Sequence, residues 1–151
     1  MKRHPALVQL SRDHHQSLVF AHGLTRAGNP RLRGLLPREP RAKARAVIQR
    51  FQNEQLPHFQ LEEERLLPFI KGRDEKLDDM ARTVRREHDE MRELIRQLES
   101  AQAVEPVLDE LGHLLNEHVR SEERKLFVRI QEVLTEEQLD AMGASLARGR
   151  R

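Results

Sequence analysis

The sequence contains no cysteine, no tryptophan and no tyrosine. Without cysteine, disulfides, thiolate metal sites and cysteine nucleophiles are all excluded. No apolar run approaches the ~20 residues that a membrane span needs. Met1-Lys2-Arg3-His4-Pro5 opens onto a stretch only partly apolar, unlike a secretory signal. The expectation is a soluble cytoplasmic protein with no membrane partner. Glycine is scarce, at seven, and β-branched residues are sparse, while Leu, Arg, Glu, Ala and Gln dominate, the composition of helices. A chain of 151 residues has the size of a single domain able to bury its own core.

Charge of either sign is nearly balanced, with a net +2. One stretch departs from this. Arg26, Arg31, Arg33, Arg38, Arg41, Lys43, Arg45 and Arg50 face a single acid, Glu39, between positions 26 and 50. No aromatic residue there offers a base a stacking surface, so the stretch reads as a solvated loop and helix face, and no nucleic-acid partner is expected.

Breakers and caps divide the chain into four long helices and a short fifth, an all-α chain. The first spans about 5–27 and ends at Gly28-Asn29-Pro30. A loop follows to about Pro40. The second spans about 41–70, with Pro57 inside it kinking it or splitting it locally, and Gly72 ending it. The third spans about 74–99, capped by Asp74, and the fourth about 105–134, with Pro106 in its first turn. Thr135-Glu136-Glu137-Gln138 reads as a capping box for a short C-terminal helix, and Arg148-Gly149-Arg150-Arg151 as a frayed basic end. Short connections between long helices predict an up-down-up-down four-helix bundle, its core within about 5–134.

Each long helix carries a histidine in its apolar stripe. Leu77, Ala81, Val84, Met91, Ile95 and Leu98 lie within about 80° of His88 at 100° per residue. Val104, Val107, Leu111, Leu114, Leu115 and Leu126 cluster likewise around His118. Val47, Phe51, Leu61 and Phe69 surround His58, and Leu7, Leu10, Leu18 and Ala21 surround His14. The heights agree as well. His58 lies 14 residues before Gly72 and His88 16 after it; His88 and His118 each lie about 15 from the turn near Ala103. At ~1.5 Å rise per residue the four imidazoles meet in one layer.

Two carboxylates join them. Glu62 and Glu122 each follow a histidine, His58 and His118, by four residues, about 40° round on the same face. Glu63 and Glu123 lie about 140° away and are the less favoured alternatives. The segments from His58 to Leu66 and from His118 to Leu126 realign after a shift of 60 residues, with both Glu and Leu in register. Four imidazoles and two carboxylates in an apolar core are expensive unless something binds them, and a pair of metal ions does so, each taking two His and sharing both Glu. Mixed N/O ligands suit iron, and manganese or zinc less specifically. His15, about 100° from His14, remains an alternative ligand or a supporting residue. His22, His113 and His4 read as rim, exposed and terminal.

The pattern His14 … His58-x-x-x-Glu62 … His88 … His118-x-x-x-Glu122 resembles the hemerythrin-like HHE cation-binding family. The local contexts Leu-Ser-Arg-Asp-His14, Glu-His88-Asp-Glu and Glu-Glu-Arg-Lys-Leu-Phe127 are similar too. The resemblance implies a non-haem di-iron centre of two iron ions, bridged by Glu62, Glu122 and an oxo or hydroxo group. Two departures bear on function. Respiratory hemerythrins carry a fifth histidine four residues after the third, where this sequence has Arg92. They also place the last carboxylate five residues after its histidine, which here is Glu123. Open coordination positions imply iron handling or a response to oxygen, nitric oxide or redox state, with a small diatomic ligand, rather than bulk oxygen transport. An enzyme reducing peroxide or nitric oxide is one alternative, and a metal-free helical interaction module another.

Overall fold

The computed structural model describes residues 1–150, and no strand occurs among them. Helix α1 is Pro5–Leu24. Pro5 occupies its first turn, and His4 caps it, Nδ1 accepting the Ala6 N–H at 3.0 Å. The helix stops short of the expected Ala27 because Thr25 is extended and Gly28 N–H bonds back to the Thr25 carbonyl. Asn29-Pro30, read from the sequence as a stop, also starts a helix: Asn29 caps the one-turn α2, Pro30–Arg33, within the expected loop.

Helix α3 runs through 40–70 and is not interrupted at Pro57. Two π turns carry it past its prolines. Leu56 N–H reaches the Phe51 carbonyl and Leu67 N–H the Glu62 carbonyl, five residues back in each case, one residue before Pro57 and Pro68. The wider turn relieves the clash of a proline ring with the carbonyl four residues earlier. Gly72, at φ +77°, ends the connection in a conformation that a side chain would strain.

Helix α4 is Glu75–Ser100, and the Asp74 side chain accepts the Leu77 N–H as the N-cap. Helix α5 spans 104–133 with a third π turn, where Phe127 N–H bonds to the Glu122 carbonyl. This turn is the 60-residue image of the one at Glu62 but has no proline, so proline is not its only cause. The predicted capping box is formed at Thr135 and Gln138 and starts α6, Glu136–Gly149. The basic end is not frayed as far as Arg150: its guanidinium is bound to Asp13 at 2.7 Å. Arg151 lies outside the described residues.

Part of the basic stretch is engaged within the chain. Arg41 donates to the carbonyls of Leu98, Glu99 and Ala101, closing the C-terminus of α4. Arg33 and Lys43 share Glu105 at 2.7 and 2.5 Å. No helix among the described residues is long and apolar enough to cross a membrane.

The long helices α1, α3, α4 and α5 enclose two apolar clusters. One contains Phe20, Val47, Phe51, Phe59, Met91, Leu98 and Leu111; the other contains Leu7, Leu10, Leu66, Ile70, Leu77, Leu126, Phe127 and, from α6, Met142. Every long helix passes from one cluster to the other at its histidine: Leu10 and Phe20 flank His14, Phe51 and Leu66 flank His58, Val84 and Met91 flank His88, Leu115 and Leu126 flank His118. A polar layer therefore divides the core. Helix α1 approaches α5 closely at Gly112, where an added Cβ would stand 2.8 Å from the Ala21 carbonyl oxygen.

Candidate metal centre

His14, His58, Glu62, His88, His118 and Glu122 are all brought into this layer, each 7% exposed or less. They form two groups, His14, His58, Glu62, Glu122 and Glu62, His88, His118, Glu122, with the ligand atoms of each group within 4.8 Å of one another. Both carboxylates belong to both groups. Glu122 Oε2 is 2.8 Å from His14 Nε2 and its Oε1 2.8 Å from His118 Nε2. Glu62 Oε2 is 3.4 Å from His58 Nε2, and Oε1 is 3.2 Å from His88 Nε2. Despite these separations, the four Nε2 atoms and four carboxylate oxygens are buried without a hydrogen bond. They surround shared points rather than pairing off, as donor atoms around a cation do. Eight such atoms in one buried layer are far from the usual satisfaction of buried polar groups by the protein itself.

The outer nitrogens show why the rings point this way. Each Nδ1 meets a carboxylate: His14 with Glu123 at 2.9 Å, His58 with Asp13 at 3.2 Å, His88 with Glu63 at 2.6 Å and His118 with Glu87 at 3.0 Å. The four contacts form a ring. Asp13 on α1 holds the histidine of α3, Glu63 on α3 that of α4, Glu87 on α4 that of α5, and Glu123 on α5 that of α1. Donation from Nδ1–H fixes the tautomer that leaves Nε2 with its lone pair turned inward. Two aromatic rings complete the walls, Phe59 stacked 3.9 Å from His88 and Phe127 5.3 Å from His14.

Sequence reasoning overlooked Asp13, Glu87 and Phe59. The signal for the two acids was adjacency: each precedes a core histidine, as Glu63 and Glu123 each follow a core glutamate. Glu63 and Glu123 enter neither inner group and act on the outer nitrogens. His15 is exposed and belongs to neither group, so the inward ring of α1 is that of His14. His22 pairs with Asn116 at the surface, and His113 is exposed. His4, Glu136 and Asp140 also converge. There His4 Nδ1 accepts the Ala6 N–H, so the proton of the neutral ring sits on Nε2 facing Glu136, the wrong tautomer for a ligand.

Three of the four outer carboxylates are themselves held by arginine. Arg92 grips Glu63 through both oxygens at 2.9 and 3.0 Å, Arg3 binds Glu123 at 2.7 Å, and Arg150 binds Asp13. Burial opposes charge on the imidazoles, but the surrounding carboxylates outweigh it. Glu62 and Asp13 raise His58 to about 9, and Glu122 and Glu87 raise His118 to about 10. His14 and His88 are raised for the same reason. Burial would raise Glu62, yet His58, His14 and His88 hold it well below the usual carboxylate range. Burial would likewise raise Glu63, and His88 and Arg92 bring it down to about 2. In the metal-free chain, protons therefore settle on the histidines and not on Glu62.

An all-α fold with a buried His/Glu cluster of this composition defines a metal-binding protein. The model of the hemerythrin HHE cation binding domain matches residues 7–130, and the chain belongs to that family. No curated protein and no solved structure matched it.

Proposed function

We propose that this chain is a non-haem di-iron protein. One iron is held by His14 and His58, the other by His88 and His118, with Glu62 and Glu122 shared between them. The observation that carries this reading is the set of eight buried, unpartnered ligand atoms in two groups with both carboxylates in common. The order in which the helices pass the two apolar clusters supports an up-down-up-down bundle around the centre, within one domain. When bound, the metal supplies redox change and affinity for small diatomic ligands. The chain supplies neutral inward imidazoles, fixed by outer carboxylates, in a layer sealed by apolar residues on either side. Arg92 stands where respiratory hemerythrins place a fifth histidine and is engaged with Glu63, so each ion has two imidazoles here. That supports iron handling or an oxygen, nitric-oxide or redox response over bulk oxygen transport.

Metal analysis of protein produced with iron available should find about two ions per chain. Less than one tightly bound ion per chain overturns the proposal. The outer ring makes a second prediction. Glu63→Ala and Glu123→Ala should retain both positions but bind metal about 10–100-fold more weakly, because His88 and His14 lose the partners that orient them. His15→Ala should bind as the parent does. Competition with a chelator of known affinity measures all three; equal affinity in the parent and both glutamate variants would show that the outer carboxylates do not support the ligands.

A further inference from the structure

The outer ring of carboxylates is fastened at three corners and not at the fourth. Arg92 grips Glu63, Arg3 binds Glu123 and Arg150 binds Asp13. Glu87, which meets His118, has no arginine or lysine partner among the described residues. A guanidinium holds a carboxylate in a fixed geometry, and through it the histidine that the carboxylate orients. The Glu87–His118 corner lacks that hold.

Two cavities reach the ligands from outside. One, of about 320 Å³ between α1, α3 and the end of α6, touches His58. The other, of about 230 Å³ between α4 and α5, is lined in part by Thr83, Glu87 and Lys125 and touches Glu122. In each lining one acid is spent on a neighbour of its own helix, Glu54 on Arg50 and Asp79 on Arg82. The two differ in what a cation meets next. At the first, Arg150 stands in the lining and holds Asp13, so a fixed positive charge and a fastened carboxylate lie before His58. At the second, the outer carboxylate is the unfastened Glu87. Behind it Glu122, 1% exposed, has both oxygens without a hydrogen bond. Glu122 belongs to both ligand groups, so an ion that reaches it has reached either position. Lys125 is the basic side chain of that lining, and it is exposed.

We propose that metal enters and leaves the centre between α4 and α5, past Glu87 and onto Glu122. The route rests on the metal-binding reading, so its test separates how much metal is bound from how fast it binds. The full metal-free chain is mixed with cobalt(II), whose visible absorption reports nitrogen and oxygen ligation, and the loaded chain is then released into excess chelator. Blocking a route raises one barrier in both directions, so uptake and release slow alike and Kd is unchanged. Thr83→Trp, on the α4 wall of the mouth, should slow both by about tenfold or more, with the parental ion count at equilibrium. Gln16→Trp, at the exposed rim of the other cavity, should keep parental rates. Lys125→Glu reverses an exposed charge and needs no repacking. It should speed uptake at low salt and lose that advantage at about 1 M salt, where screening acts within about 3 Å. Parental rates in folded Thr83→Trp, unaltered uptake in Lys125→Glu, or slowing by Gln16→Trp would each overturn the route while the ion count stands. A parent chain that takes up less than one ion overturns the metal centre, and the route with it.

Discussion

Glu122→Ala, and equally Glu62→Ala, is expected to leave less than one tightly bound metal ion per chain, not one of two. The spacing of the sequence alone allows a variant that keeps half its metal. The geometry removes that option, because each carboxylate reaches both groups: Glu122 stands 2.8 Å from an imidazole of each, and Glu62 lies 3.4 and 3.2 Å from His58 and His88. Deleting either side chain takes a ligand from both positions. It also leaves the remaining glutamate as the only carboxylate facing four imidazoles that prefer to be protonated in the absence of metal. The apolar clusters on either side are untouched, so helicity should persist by circular dichroism while metal is lost. A variant that is fully helical and retains one ion at parental affinity would show that the two positions are independent.

Metal removal is expected to lower the melting temperature by an amount that grows with pH through the neutral range and on to about pH 9. Metal that binds only the folded chain stabilises it by about 4 kcal/mol at a thousandfold excess over Kd, against a typical domain stability of roughly 5–15 kcal/mol. Expectation from unperturbed histidine values places proton competition near pH 6, with little change above it. The folded metal-free chain differs, because its core histidines are raised, His58 to about 9 and His118 to about 10. A raised folded-state value means stability fully present below the unfolded value of about 6.5 and lost as pH climbs through 9 to 10. The depressed Glu62 contributes stability present above its unfolded value of 4.5 and lost only as pH falls below that. Between about pH 4.5 and 6.5 the metal-free chain thus has the full stabilisation of its imidazolium–carboxylate contacts; from about 6.5 upward that stabilisation falls, and it is gone once pH has passed the folded values of about 9 and 10. Over the same rise in pH, metal displaces fewer protons and binds more tightly. Thermal unfolding with and without chelator at pH 5, 7 and 9 should show the gap between the two forms widening at each step. A gap that is the same at pH 7 and 9 would mean that the histidines titrate as isolated rings. Identical melting at pH 7 would place the metal outside the core.

What was legible in the sequence follows from the regularity of the α-helix. A 100° step and a fixed rise are enough to place His14, His58, His88 and His118 on apolar stripes at matched heights, and to set Glu62 and Glu122 beside two of them. Caps were equally local: Asp74 and the Thr135–Gln138 box depend on neighbours within one turn, and both formed as the sequence indicated. The same regularity failed where the backbone widened. The local disruption expected at Pro57 takes the form of a π turn, because one longer hydrogen bond removes the proline clash without ending the helix.

Only the tertiary structure decided the surroundings of the site. Asp13 meeting the histidine of α3, or Glu123 that of α1, cannot be read from one helix, since donor and acceptor lie 45 and 109 residues apart in the chain. The same is true of Arg150, whose grip on Asp13 draws the expected frayed end into the wall of the site. The raised histidines follow from those contacts too, because an imidazole takes its proton affinity from the charges packed around it and not from its position in the sequence.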